Sequence, residues 1–143
     1  MEDIFTLTAR EEIEIALRLL LAAIFGAAVG YERRSSDKPA GLRTLSLVAV
    51  GSALFTIISA FGFETADQSR VAAQIVTGVG FLGAGTILRS GTSISGLTTA
   101  ATIWATAAIG MAVGSGLYIA SVGGTVLMLA ILYLFAPARN TED

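Results

Sequence analysis

The chain has 143 residues, of which 54% are hydrophobic and only 14% charged, with a net charge of −2 and a mean hydropathy of +0.75. A soluble domain carries charge on about a quarter of its positions, whereas Arg89 is the sole charged residue between Val71 and Ala138. The balance excludes a nucleic-acid footprint, which needs a dense basic face. With no cysteine and no histidine, disulfides, thiolate chemistry, the usual general base and the commonest transition-metal ligand are excluded too.

The pattern is that of an all-α, polytopic membrane bundle of about five spans in a single domain over residues 1–143. About 20 apolar residues cross the hydrocarbon core as a helix. The first candidate runs from Ile13 to Tyr31. It follows Glu11, Glu12 and Glu14 in place of a basic leader, so it is expected to be retained. Thr8 and Glu11 have capping-box spacing. Glu14 and Arg18, four apart, share a helical face and can pair near the membrane surface.

Asp37-Lys38-Pro39 supplies a cap candidate and an early-turn proline before a second span, Leu42–Phe61. Gly62 punctuates its end. A third span is expected over Val71–Leu88, with Thr65 and Gln68 as a capping box and Gly91 after its end. The fourth runs from Leu97 to Val113 and the fifth from Leu117 to Ala136, where Pro137 stops it. Only Gly114-Ser115-Gly116 separates these two, as suits a helical hairpin. Arg33, Arg34, Lys38, Arg43, Arg89 and Arg139 gather on one side of this topology. The N-terminus is therefore expected outside and the C-terminus in the cytoplasm.

Between lipid-embedded helices, close backbone approach and interhelical hydrogen bonds matter more than burial. Gly26/Gly30 and Gly110/Gly114 form GxxxG pairs, and Gly78, Gly80, Gly83 and Gly85 cluster in the third span. All eight are candidate packing positions. The GxGxxG spacing within the cluster is not read as a phosphate loop, because these glycines lie in mid-span with no preceding strand.

Ionisable and polar groups within spans mark candidate function. Arg70, Gln74 and Thr77 continue along one face, with Asp67 placed to satisfy Arg70. That face lines a polar cavity, or Gln74 is a packing hydrogen bond. Thr98, Thr102 and Thr106 repeat every four residues beside Thr99, and suit bonds to backbone or neighbouring helices, or else a path for ions or water. In the first loop, Glu32, Arg33, Lys38 and Arg43 surround a helix start whose free amides attract anions. These charges either set topology and meet lipid headgroups or hold an anion or a partner.

The blocks GYERR, DKPAGLRTLSLVAVGSALF, DQSRVAAQIVTGVGFLGAGTI and GLTTAATIWATAAIGMAVGSG occur in this order, and from about Leu17 onward the chain resembles the MgtC/SapB family of bacterial inner-membrane proteins. The resemblance implies a multi-pass inner-membrane domain linked to magnesium homeostasis, acid tolerance and survival inside host cells. The best-described member restrains the F-type ATP synthase. The resemblance also points to Glu32, Lys38, Arg43, Asp67, Arg70, Gln74 and the GLTTAAT threonines as the family's polar positions. Virulence-type members carry an asparagine and a cysteine where this chain has Thr98 and Ala105, and a C-terminal ACT-like domain; this chain stops at Asp143, like the short form. The expected function is that of a membrane-embedded regulator or interaction protein, not an enzyme, with no cofactor or bound metal. It is expected to form a homo-oligomer, a dimer first, in the lipid bilayer, with a possible membrane-protein partner. The alternative is a small oligomeric magnesium or proton transporter or channel.

Overall fold

The computed structural model describes residues 7–62 and 67–136, apart from the side chain of Gln68. Five helices make up the bundle: α1 (Ala9–Ser35), α2 (Leu42–Phe61), α3 (Gln68–Ala84), α4 (Leu97–Gly114) and α5 (Tyr118–Leu134). A short antiparallel hairpin, β1 (Leu88–Ser90) and β2 (Ser93–Ser95), joins α3 to α4. The chain is an all-α helical membrane protein. By length and composition α1, α2 and α4 can each cross a bilayer, and α5 is a shorter apolar helix. At 17 residues each, α3 and α5 reach about 25 Å, slightly less than the hydrocarbon thickness.

Local chemistry sets the ends. Thr8 and Glu11 form the expected capping box, so α1 starts four residues before the apolar run. Asp37 corrects an expectation: it closes α1 instead of capping α2. It adopts a left-handed φ of 55°. The Asp37 amide donates to the Arg34 carbonyl and the Lys38 amide to that of Arg33, the bond pair of a Schellman motif. The α2 N-cap is Gly41, which offers no side chain. The same motif ends α4, where Gly116 (φ 77°) takes the left-handed position and Leu117 bonds back to Ala112.

The third span also ends earlier than expected. Helix α3 stops at Ala84 with Gly85 as its C-cap, and the Thr86 hydroxyl donates to the Gly83 carbonyl at 2.8 Å. The chain then turns into the hairpin, and Gly91 (φ 61°) occupies its two-residue turn instead of punctuating a helix. At the other end Asp67 is the N-cap of α3; Thr65, proposed for that role, lies outside the described residues, as do Pro137 and Arg139.

Helix α4 sits centrally and packs against each of the other four. Two glycine pairs decide how closely α2 approaches its neighbours. A Cβ at Gly26 would lie 2.8 Å from the Ser46 Cα, and one at Gly30 would lie 2.6 Å from the Leu42 Cα. Further along α2, Cβ atoms at Gly110 and Gly114 would press into the Ala49 and Ala53 carbonyls. Leu42, Leu45, Ser46, Ala49 and Ala53 share one face of the helix, so backbone meets backbone along that face, with α1 at its first half and α4 at its second. Around these seams, Leu45, Val29, Ile103, Ala107 and Ile75 form one buried cluster, and Ala22, Ala49, Ala53 and Val113 form another. The α3 glycines behave differently. Gly83 lies against the Ala100 carbonyl of α4, and Gly85 meets only its own last turn. At Gly78 and Gly80 no atom of the described residues lies within 4 Å of where a Cβ would stand.

Candidate functional site

Two places gather the polar residues. The first is the bundle end where α1 and α5 finish and α4 begins. Here Glu32 and Arg33 from the last turn of α1 and Lys38 from the loop after it meet Thr98 and Thr99 from α4 around a cavity of about 1040 Å³. Arg33 is only 4% exposed. Its Nη2 donates to the Thr99 hydroxyl at 3.1 Å, and its Nη1 lies 3.9 Å from Glu32 Oε2. Arg33 Nε and Glu32 Oε2 are both buried and find no hydrogen-bond partner among the described residues. Glu32 Oε1 accepts from the Ser36 hydroxyl at 2.8 Å.

Beside this group α4 opens without a side-chain cap, since its N-cap is Gly96 at a φ of 87°. The first three amides of a helix have no partner within the helix, and here they come at Leu97, Thr98 and Thr99 beside the guanidinium. A buried arginine and an uncapped helix start thus share one wall. Lys38 stands exposed at the cavity edge, and Arg43 is exposed on α2 outside it.

The second place is a cleft of about 420 Å³ between α2 and α3, lined by Leu47, Gly51, Phe55, Gln74, Gly78 and Leu82 among others. Gln74 is exposed into it. Asp67 does not satisfy Arg70: its carboxylate accepts from the Ser69 amide at 2.9 Å and the Ser69 hydroxyl at 2.6 Å. Those bonds hold the Asp67 carboxyl below its ordinary pKa. The ion pairs among the described residues are instead Arg18–Glu14 and Arg33–Glu32.

Thr102 and Thr106 of the threonine stripe are turned inward and answered by their own helix, whereas Thr98 is exposed. Thr102 donates to the Thr98 carbonyl at 2.7 Å and Thr106 to that of Thr102 at 2.8 Å. Helix α5 repeats the device, Thr125 donating to the Ser121 carbonyl at 2.7 Å. These hydroxyls sit in the apolar interior with their hydrogen bonds made. Thr99 differs, because its hydroxyl accepts from another element.

Arg18 has a larger role than pairing with Glu14. It donates to Glu14 at 2.6 Å, to the Gly114 carbonyl at 2.7 Å and to the Tyr118 hydroxyl at 3.1 Å. It therefore bolts α1 to the α4–α5 turn. The sequence spacing identified the local i,i+4 partner but carried no sign of partners about a hundred positions away. Among the described residues, no group of three or more acidic side chains is placed to hold a metal ion.

This fold, a glycine-seamed helical bundle with an arginine buried at one mouth, defines a small helical membrane protein, and its sequence matches the MgtC family over residues 19–141. The chain belongs to the MgtC family. It is 52% identical over 130 residues to YhiD of Escherichia coli K12, named as a candidate magnesium transporter; that alignment covers 85% of this chain and 60% of YhiD. It is 45% identical to MgtC of Brucella abortus, over 81% of this chain and 49% of that protein. With MgtC of Salmonella typhimurium the identity is 44%, over 87% and 53% respectively. The chain thus spans about half to three-fifths of the length of these relatives. No solved structure matches it.

Proposed function

We propose that this chain is a regulatory or interaction protein of the bacterial inner membrane, serving magnesium homeostasis or acid and stress adaptation. In this reading it catalyses no covalent reaction and acts by receiving a transmembrane helix on its α2–α3 face. The observation that carries it is the state of that face. Gly51 and Gly78 border the cleft with open space where a side chain would stand. In lipid, small residues of this kind allow a neighbouring helix to approach closely. A second copy of the chain is the first occupant, giving a homodimer, and another membrane protein is the alternative. The cytoplasmic side is assigned to the Arg33 mouth, from the lysine and arginine of the first loop.

A magnesium transporter is the competing reading, favoured by the name of YhiD and by the exposure of Gln74 in the same cleft. Gly51→Leu and Gly78→Leu separate the two. Both fill open space, so the monomer should fold, while in-membrane crosslinking to a second copy or another membrane protein should fall sharply. Purified protein in liposomes should leave trapped magnesium unmoved. Magnesium flux that disappears in Gln74→Ala, with crosslinking unaffected by either leucine, would overturn the interaction reading.

A further inference from the structure

We infer that the Arg33 mouth is a binding site for a singly charged phosphoryl group, of the kind carried by the phosphodiester of a phospholipid headgroup. The inference is independent of what docks on the α2–α3 face. It begins with an imbalance inside the bundle. A guanidinium carries five N–H donors in a planar fork. The structure gives Arg33 one hydrogen bond, to Thr99, and a long 3.9 Å approach to Glu32. Its Nε has no partner, and the residue is 96% buried, being 4% exposed. A buried charge so incompletely paired is costly, so a ligand that completes its hydrogen bonds is favoured at this place.

The surroundings select the ligand. Through Thr99, Arg33 is tied to the first turn of α4, which has no side-chain cap. Partial positive charge and free amides at such a turn attract oxyanions. A phosphoryl oxygen between Arg33 and the Leu97–Thr99 amides would accept from both. Ser36 and Lys38 also line the cavity.

Glu32 and Asp37 line the same cavity, and their negative charge disfavours a dianion while tolerating a monoanion. A carboxylate oxygen of Glu32, itself without a partner, also suits a headgroup ammonium. The cavity's remaining wall is apolar, built from Ile131, Leu132 and Phe135 of the α5 end, a surface along which an acyl chain can lie. A lipid at the membrane surface and free phosphate share the phosphoryl chemistry; only the lipid uses that apolar wall.

The test uses the full chain, purified and delipidated in detergent, with binding read by native mass spectrometry and by phosphorus NMR line broadening. The probes are short-chain phosphatidylethanolamine, short-chain phosphatidylglycerol, the matching diacylglycerol without phosphate, and sodium phosphate. The wild type should bind phosphatidylethanolamine saturably and ignore diacylglycerol. Arg33→Gln should weaken that binding at least about tenfold, the change expected for about 1.4 kcal/mol. Arg43→Gln, an exposed cation outside the cavity, should leave it unchanged. Should Arg33→Gln fail to fold, Lys38→Gln replaces it, because that side chain is exposed in a loop; a severalfold loss is expected. Saturable binding of sodium phosphate with the same mutant pattern, and none of the lipids, assigns the site to free phosphate. Diacylglycerol binding as tightly as the phospholipid, or phospholipid binding unaltered in both variants, overturns the proposal.

Discussion

Adding one methyl group at Gly110 tests the backbone seam directly. In Gly110→Ala the new Cβ would sit within contact of the Ala49 carbonyl oxygen, 2.9 Å from its carbon and 3.0 Å from its Cα. Carbon atoms normally rest at about 3.5–4.0 Å, so the two helices must separate by roughly 0.5–1 Å. Helix α2 cannot retreat from α4 without disturbing α1, since the same face of α2 is in backbone contact with Gly26 and Gly30. Such overpacking costs about 1–3 kcal/mol. Replacing glycine by alanine in a helix returns roughly 0.5–1 kcal/mol, leaving a net loss of up to about 2.5 kcal/mol. Gly123 in α5 is the control, because a Cβ there meets nothing within 4 Å. Gly123→Ala keeps the helix-propensity gain without the collision and should be stabilised slightly. The gap between the variants therefore isolates the overpacking cost. Reversible unfolding in mixed detergent and SDS micelles, followed by circular dichroism, measures it. Equal stability of the two variants would refute the backbone seam.

Arg18→Gln should destabilise the protein by about 1–3 kcal/mol, because hydrogen bonds to the Gly114 carbonyl and Tyr118 hydroxyl are lost from a partly buried site; Tyr118→Phe should cost less, and the same unfolding assay ranks them. Thr106→Val should change stability by less than about 1.5 kcal/mol, since the Thr106 hydroxyl answers only its own helix at Thr102; a larger loss in that assay would reveal an interhelical role. For Asp67 the folded-state pKa is depressed by Ser69. Its stabilising contribution is present above the unfolded value of about 3.9 and is lost as pH falls through the lower folded value. Ser69→Ala removes the hydroxyl bond but keeps the backbone one, so it should raise the Asp67 pKa, seen as an NMR titration shifted to higher pH, and should weaken that acid-side dependence.

The apolar runs made the helices legible, because lipid demands long uncharged stretches and little else resembles them. Leu42–Phe61 coincides with α2 in full. The end of α3 was harder to read, since Thr86, Ile87 and Leu88 are as apolar on average as the helix before them. The β-branched Thr86 and Ile87 and the flanking glycines favour a turn and a hairpin instead. Asp37 was misplaced because aspartate serves equally well in a helix-starting cap and in a left-handed helix end. At the mouth, Arg33 and Thr99 could each be singled out from type and position. That they touch follows only from the crossing of α1 and α4, which no local pattern encodes. The glycines show the same limit: Gly78 and Gly110 look alike in sequence, yet one faces open space and the other a carbonyl.

The shared contact face of α2 also has a consequence for the order of assembly. Helix α1, immediately before it in the chain, supplies one set of backbone contacts, and α4, which begins 36 residues after α2 ends, at Leu97 against Phe61, supplies the other. As synthesis proceeds from the N-terminus, the α1–α2 hairpin can close while α4 is still being made. Until α4 arrives, the Ala49 and Ala53 carbonyls lack the close cover of Gly110 and Gly114, although Ala22 of α1 already packs beside them. Helix α3 is made during that interval, yet it packs on α4 as well as on α2, so its own seat is complete only once the centre is filled.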